Sequence, residues 1–270
     1  MIVKKLFLRS RPLFWSIPLV LYGAGMIFAG YSWISFIQLI LFTWPINYVI
    51  YATNDYYDEE TDKNNPRKTS WIHGTPITKQ EKQYMRPLVY SIIGFFLLTA
   101  AFVNTEHFIF ACLAVLLGWA YNAPPLQLKN TVFASLLSGA GYFLCFILAY
   151  TVTSSVSAIP AYTYTLILPL IGIHVLSELI DSKADKRASR RTLGHLLGLR
   201  GSFLFLAALT TIPLITYWTD AVWAFALSFI ILLALINAYA QKQEWLFATT
   251  AAYIGLLVCV AIIRVLQAIL

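Results

Sequence analysis

Among the 12 acidic residues of this 270-residue chain, two groups are spaced for shared work. The first reads Asn54-Asp55-Tyr56-Tyr57-Asp58-Glu59-Glu60-Thr61-Asp62, and the second contains Asp181 and Asp185. On a helix, positions 54, 58 and 62 drift by only about 40° per step, so three oxygen-bearing side chains line one face. Asp181 and Asp185 share a face in the same way. Carboxylates gathered near low-dielectric surroundings repel one another. Hard divalent cations relieve that repulsion, and Mg²⁺ is typically held by a few carboxylates together with substrate phosphates. The chemistry open to such an array is magnesium-assisted handling of a diphosphate. Glu59 and Glu60 stand off the spacing and read as acids that pair with neighbouring bases.

The elements that must carry these acids are membrane helices. Hydrophobic residues make up 59% of the chain, charged residues 11%, and mean hydropathy is +0.71. A soluble domain carries about 25% charged residues. A bilayer needs roughly 20 apolar residues per spanning helix. Apolar runs at 13–30, 34–53, 87–103, 107–121, 132–151, 159–180, 202–218, 221–240 and 245–268 predict an all-α bundle of about nine transmembrane helices, one domain over 1–270. Lys4, Lys5, Arg9 and Arg11 precede the first run as in a secretory signal. That run is long enough to span, so it is read as the first helix. The first acid group ends the second run, and Pro66 stops its helix soon after. Thr78 and Glu81 form a capping box that opens the next helix. Asp181 and Asp185 follow the sixth run.

Charge orients the bundle. With alternating spans, every Lys and Arg except Arg264 falls on the face that holds the N-terminus and both long polar loops, 54–86 and 181–201. Such asymmetry places that face in the cytoplasm of a multi-pass cell-membrane protein, with both acid motifs on it. The net charge of +7 is thereby assigned to topology and anionic lipid headgroups rather than to nucleic acid. Cys112, Cys145 and Cys259 lie apart within apolar runs and fit neither a disulfide framework nor a metal cluster.

Asn54-Asp55-x2-Asp58-x3-Asp62 followed by Asp181-x3-Asp185 resembles the paired motifs of the UbiA superfamily of intramembrane prenyltransferases. Tyr121-Asn122-Ala123-Pro124-Pro125-Leu126-Gln127-Leu128-Lys129 is similar to that family's stretch after the fourth helix, and Arg190-Arg191-Thr192-Leu193 to its Arg-Thr-Leu element. The resemblance implies that Asn54, Asp58, Asp62, Asp181 and Asp185 ligate Mg²⁺. It implies that Asp55 orients a neighbouring basic group. Arg67, Lys129, Lys68 and Arg187 would contact the diphosphate of a prenyl donor, with Tyr121 nearby. Two departures, Gln127 for a basic residue and Asn122 for Ser, put the contacts of that loop in doubt. The implied reaction ionises an allylic C–O bond while metal and basic side chains neutralise the leaving diphosphate. The allylic cation needs a dry cavity, where aromatic faces stabilise positive charge.

Three details resemble the carotenoid-elongating branch of that family, which adds C5 units from dimethylallyl diphosphate to lycopene. They are Arg11-Pro12-Leu13-Phe14-Trp15, the extended first motif to Lys68, and His174-Val175-Leu176-Ser177 seven residues before Asp181. His174 would then assist deprotonation near the cation. Its other reading is a bundle histidine bonded to a backbone carbonyl, as Arg11 and Trp15 also read as interface anchors. A quinone-precursor aromatic acceptor, of the 4-hydroxybenzoate or 1,4-dihydroxy-2-naphthoate type, is the alternative to a lipophilic carotenoid. From a different class, an ion-coupled transporter would place acids near the bilayer midplane on broken helices. A CDP-alcohol phosphotransferase would carry Asp-Gly-x2-Ala-Arg, which is absent.

Overall fold

A computed structural model describes residues 2–62, 74, 77–180, 191–240 and 245–269. The described residues are helical and fall into two compact units, one of 1–127 with 144–157 and one of 128–143 with 158–270.

The first unit opens on α1 (Ile2–Arg9), a helix separate from the first apolar run. A 3-10 turn, Pro12–Trp15, then leads into α2 (Ser16–Ala29). The second apolar run, expected as one helix, is two: α3 (Trp33–Leu41) and α4 (Trp44–Tyr57). Pro45 is the cause, because its ring excludes a bond to the carbonyl of Leu41, four residues back. Asn47 compensates by donating from Nδ2 to the carbonyls of Phe42 at 2.7 Å and Thr43 at 2.8 Å. The four-residue α5 (Glu59–Asp62) follows.

The expected capping box is present at the start of α6 (Lys79–Ala101): Thr78 Oγ1 accepts from the Glu81 N–H at 3.2 Å, and the Thr78 N–H donates to Glu81 Oε2 at 2.8 Å. α6 thus starts where the expected capping box opens it, eight residues before the apolar run at 87, and its first two turns are polar. α7 (Thr105–Asn122) is capped by Asn104. Tyr22, Met26, Leu41, Phe42, Phe96, Ala111 and Leu148 form the core of this unit.

α8 (Ala134–Tyr150) gives its residues to Phe143 to the second unit and the remainder to the first. The second unit continues through a 3-10 turn, Ala161–Leu166, into α9 (Ile167–Ile180), then α10 (Leu193–Thr216), α11 (Ala221–Ala240) and α12 (Leu246–Ile269). α10 begins nine residues before the predicted 202, so Arg200 sits on a helix and not in a loop. Its axis is interrupted at Gly198, whose φ of 64° belongs to glycine. α10 packs on α9 closely enough that a Cβ at Gly172 would lie 2.7 Å from Leu206 Cδ1. Small residues allow such approach where lipid, as apolar as leucine, gives no hydrophobic drive to helix association.

Among the described residues, five helical stretches are long and apolar enough to cross a bilayer, and Ser16–Ala29 and Ala134–Tyr150 are shorter apolar helices. Ile40, Phe102, Ile215 and Trp218 stand exposed on the helices and their ends, as expected of a surface that meets lipid rather than water. The protein is a multi-pass membrane bundle.

Candidate active site

In the first unit the array at 54, 58 and 62 is strung on successive helical turns. The helix does not run through unbroken as expected: α4 ends at Tyr57, and Asp58 stands at the joint with φ −96° and ψ 7°. The four-residue repeat nevertheless survives, because the Asp58 N–H donates to the Asn54 carbonyl at 3.0 Å and the Asp62 N–H to the Asp58 carbonyl at 2.8 Å. Asp58 and Asp62 are 7% and 9% exposed, which is deep for acids.

Asn54 is oriented by a residue the sequence reading treated only as a departure. Asn122 Nδ2 donates to the Gly118 carbonyl at 3.1 Å, so its Oδ1 must face away from that oxygen. That Oδ1 accepts from Asn54 Nδ2 at 3.1 Å. The Gly118 carbonyl therefore fixes Asn122, and Asn122 fixes which end of the Asn54 amide is oxygen. The remaining atom, Asn54 Oδ1, is a hard ligand of the kind magnesium takes. The Asp58 and Asp62 carboxylates offer the same hard oxygen donors, which is the donor chemistry magnesium takes, while among the described residues no three His, Cys, Asp or Glu side chains gather around one point.

Asp55 points into a buried ion network. Arg9 Nη1 donates to its Oδ2 at 2.8 Å, and Arg11 Nη2 to its Oδ1 at 2.6 Å. The other Arg9 nitrogen, Nη2, reaches Glu81 Oε1 at 3.1 Å, so the carboxylate that caps α6 also anchors α1. Arg11 lies 4.5 Å over the Tyr51 ring. A Cβ at Gly74, whose φ is +83°, would sit 3.4 Å from Asp55 Oδ2. Arg11 is thus a structural partner of the first motif and not an interface anchor. Trp15 is half-buried and donates to the Ser10 carbonyl at 3.0 Å. Beside the motif, Lys82 pairs with Glu59, and Arg86 lies 4.7 Å from the Tyr56 ring centre. Tyr121 is half-buried on the last turn of α7.

In the second unit Lys129 is buried on the 3-10 turn Leu128–Asn130. The Arg191 N–H donates to the Asn130 carbonyl at 3.2 Å, tying Arg191 to the Lys129 turn. His174, on α9, has its Nδ1 3.2 Å from Ser135 Oγ and 3.5 Å from Glu178 Oε1. Glu178 is a second residue that the sequence reading passed over. An acid inside an apolar helix is itself a signal, since such residues are costly in a membrane and persist for function. Asp181, Asp185 and Arg187 of the second motif, and Arg67 and Lys68 after the first, lie outside the described residues.

Residues 16–253 match the model of the UbiA prenyltransferase family. The chain belongs to that family. This UbiA-family prenyltransferase is 27% identical over 225 residues to a lycopene elongase/hydratase of Corynebacterium glutamicum, covering 78% of each chain. It is 25% identical over 207 residues to the lycopene elongase/hydratase of Haloarcula japonica, covering 73% of its own length and 68% of that protein's. Among solved structures, a UbiA homolog from Archaeoglobus fulgidus bound to DMAPP and Mg²⁺ superposes with a TM-score of 0.72 at 17% identity, over 97% of this chain and 99% of that one. The same homolog bound to GPP and Mg²⁺ gives 0.70 at 18% identity, again over 97% and 99%. These structural likenesses establish the UbiA fold.

Proposed function

We propose that this prenyltransferase moves the C5 group of dimethylallyl diphosphate onto lycopene or a related carotenoid, with Mg²⁺ as cofactor. The observation that carries the acceptor is the similarity to lycopene elongase/hydratases over roughly three quarters of the chain. The elongase-like details at Arg11–Trp15, the first motif and His174 point the same way. The N-terminus and both acid motifs face the cytoplasm, where a water-soluble diphosphate arrives, while the acceptor enters from the lipid.

Magnesium supplies neutralisation of the diphosphate as its C–O bond ionises. Asn54, Asp58 and Asp62 hold it from the first motif, with Asp181 and Asp185 from the second. Lys129, Arg67, Lys68 and Arg187 share the diphosphate charge, and Tyr121 lies beside them. Asp55, gripped by Arg9 and Arg11, holds the first-motif helix at a fixed rotation on the N-terminal segment. His174 takes the proton from the cation formed on the acceptor.

Expression in cells that make lycopene, with pigments analysed by mass, tests the acceptor. A gain of one or two C5 units is expected. Unchanged lycopene alongside prenylation of a supplied 4-hydroxybenzoate or 1,4-dihydroxy-2-naphthoate would reject the carotenoid in favour of an aromatic acceptor.

The Asn122–Asn54 pair gives a second expectation. Asn122→Leu keeps the volume but removes the partner that turns the Asn54 oxygen outward. Orienting partners of metal ligands are worth about 10–100-fold in metal affinity or activity. The magnesium concentration for half-maximal turnover should rise by about that factor, with excess Mg²⁺ restoring much of the rate. An unchanged magnesium titration would remove Asn122 from the site.

A further inference from the structure

A chain of hydrogen bonds links Ser135, His174, Glu178 and Gly194. Glu178 is buried on α9, one turn beyond His174. Its Oε1 accepts from Ser135 Oγ at 2.5 Å, and its Oε2 accepts from the Gly194 N–H at 2.7 Å. Ser135 comes from the start of α8 and Gly194 from the first turn of α10, so one carboxylate joins three helices. Gly194 is needed there: a Cβ on it would lie 2.6 Å from the Val175 carbonyl and 3.1 Å from Glu178 Oε2.

The directions of these bonds decide the tautomer of His174. A carboxylate only accepts, so the one Ser135 hydroxyl proton goes to Glu178. Ser135 Oγ, 3.2 Å from His174 Nδ1, is then an acceptor towards the ring, and Nδ1 is the donor. Glu178 Oε1, 3.5 Å from the same nitrogen, reinforces that direction. A neutral imidazole has one N–H and one lone pair. With the proton held at Nδ1, the lone pair is at Nε2.

We propose that Glu178 and Ser135 are positioning residues that hold His174 as the Nδ1–H tautomer, making Nε2 the base that ends prenyl transfer. This inference rests on the prenyl-transfer reading above. In the step, the donor C–O bond breaks and its electron pair leaves on diphosphate. The π pair of the acceptor forms the new C–C bond and leaves a cation on the acceptor. An adjacent C–H bond then breaks, its pair becomes the new C=C bond, and the proton passes to Nε2. The imidazolium so formed is stabilised by Glu178 through Nδ1–H.

Glu178→Gln is the informative variant because it keeps the volume and can reverse the relay. To go on accepting from the Gly194 N–H, the Gln oxygen must take the Oε2 position, which turns its NH₂ towards Ser135. Ser135 then accepts from that NH₂ and donates its proton to Nδ1. The ring proton shifts to Nε2, and the base is lost with the helix connections intact. Diphosphate release and elongated product are measured together on the full-length protein in lipid, with dimethylallyl diphosphate, Mg²⁺ and lycopene.

For Glu178→Gln, diphosphate release should persist while elongated alkene falls about 100-fold, the scale of a lost general base. The acceptor cation should instead be captured by water, giving an elongated alcohol in place of the alkene. His174→Gln should show the same diversion, and the double variant should be no worse, as for groups that act as a unit. Ser135→Ala should lose only several-fold, since Nδ1–H can close directly on Oε1. A loss of diphosphate and product in equal proportion in Glu178→Gln, or additive losses in the double variant, would overturn the relay and leave Glu178 as a helix tie alone. If the wild type ignores lycopene but prenylates an aromatic acid, only the acceptor assignment fails. The ratio of diphosphate to aromatic product then judges the relay by the same criterion.

Discussion

Asp58→Asn is expected to lower prenyl transfer by about 10³-fold or more, the upper range for one lost element of charge stabilisation at a reacting centre. Asn matches Asp in shape, and the backbone bonds at this joint, from Asp58 N–H to Asn54 and from Asp62 N–H to Asp58, do not involve the side chain. The variant should therefore insert and fold, with unchanged helix content by circular dichroism. What changes is one charge and one hard oxygen at a position only 7% exposed, where bulk water compensates poorly. Asp181→Asn, from the other motif, should match it. Combining the two should add little, because ligands of one ion fail together. Chelation of Mg²⁺ should silence the wild type reversibly, and millimolar Mg²⁺ should restore it but not the variants. Full turnover by either variant would end the two-motif reading.

The parts of this site that repeat every four residues were legible before any coordinates. Asn54, Asp58 and Asp62 keep that repeat even though the helix breaks at Asp58, because the spacing follows from backbone hydrogen bonding. The Thr78–Glu81 cap was legible for the same local reason. The break between α3 and α4 could have been read from Pro45, had hydropathy not masked it. Hydropathy also trimmed α6 and α10: it registers where a bilayer ends, whereas the helices continue through Lys79, Lys82 and Arg200 into polar surroundings. The partners of the site were hidden by distance along the chain. Arg9 and Arg11 meet Asp55 across 46 and 44 positions, and Asn122 meets Asn54 across 68. Nothing in local sequence distinguishes an Arg that anchors at a headgroup from one that pairs with a buried acid. That choice is made only when α1 docks beside α4.

Arg9→Met carries the largest expected effect on stability, because of what it leaves behind. The Arg9 and Asp55 side chains are 2% and 1% exposed, and the Glu81 side chain 8%. Two guanidiniums and two carboxylates meet in this cluster; removing Arg9 takes one partner from each acid, while Arg11 still pairs with Asp55 and the more exposed Lys5 lies 4.0 Å from Glu81. Breaking a buried pair by deleting one partner costs about 3–5 kcal/mol, since the surviving charge stays desolvated. Met retains most of the apolar volume, so the loss reports charge and not a cavity. In detergent the melting temperature should fall by roughly 6–20 °C, taking about 2–4 °C per kcal/mol for a chain of this size. Arg11→Met should cost less, because Arg11 is more exposed than Arg9, at 13% of its side chain, and Arg9 still bridges both acids without it. Pairing Arg9→Met with Asp55→Asn should recover part of the loss, since one uncompensated charge is then removed. If the double variant melts no higher than Arg9→Met alone, the N-terminal helix is held by packing and the ion network is incidental. The recovery should not extend to turnover, because Asp55 also sets the rotation of the helix that presents Asn54 and Asp58. Stability regained without activity would therefore separate the network's structural role from its hold on the first motif.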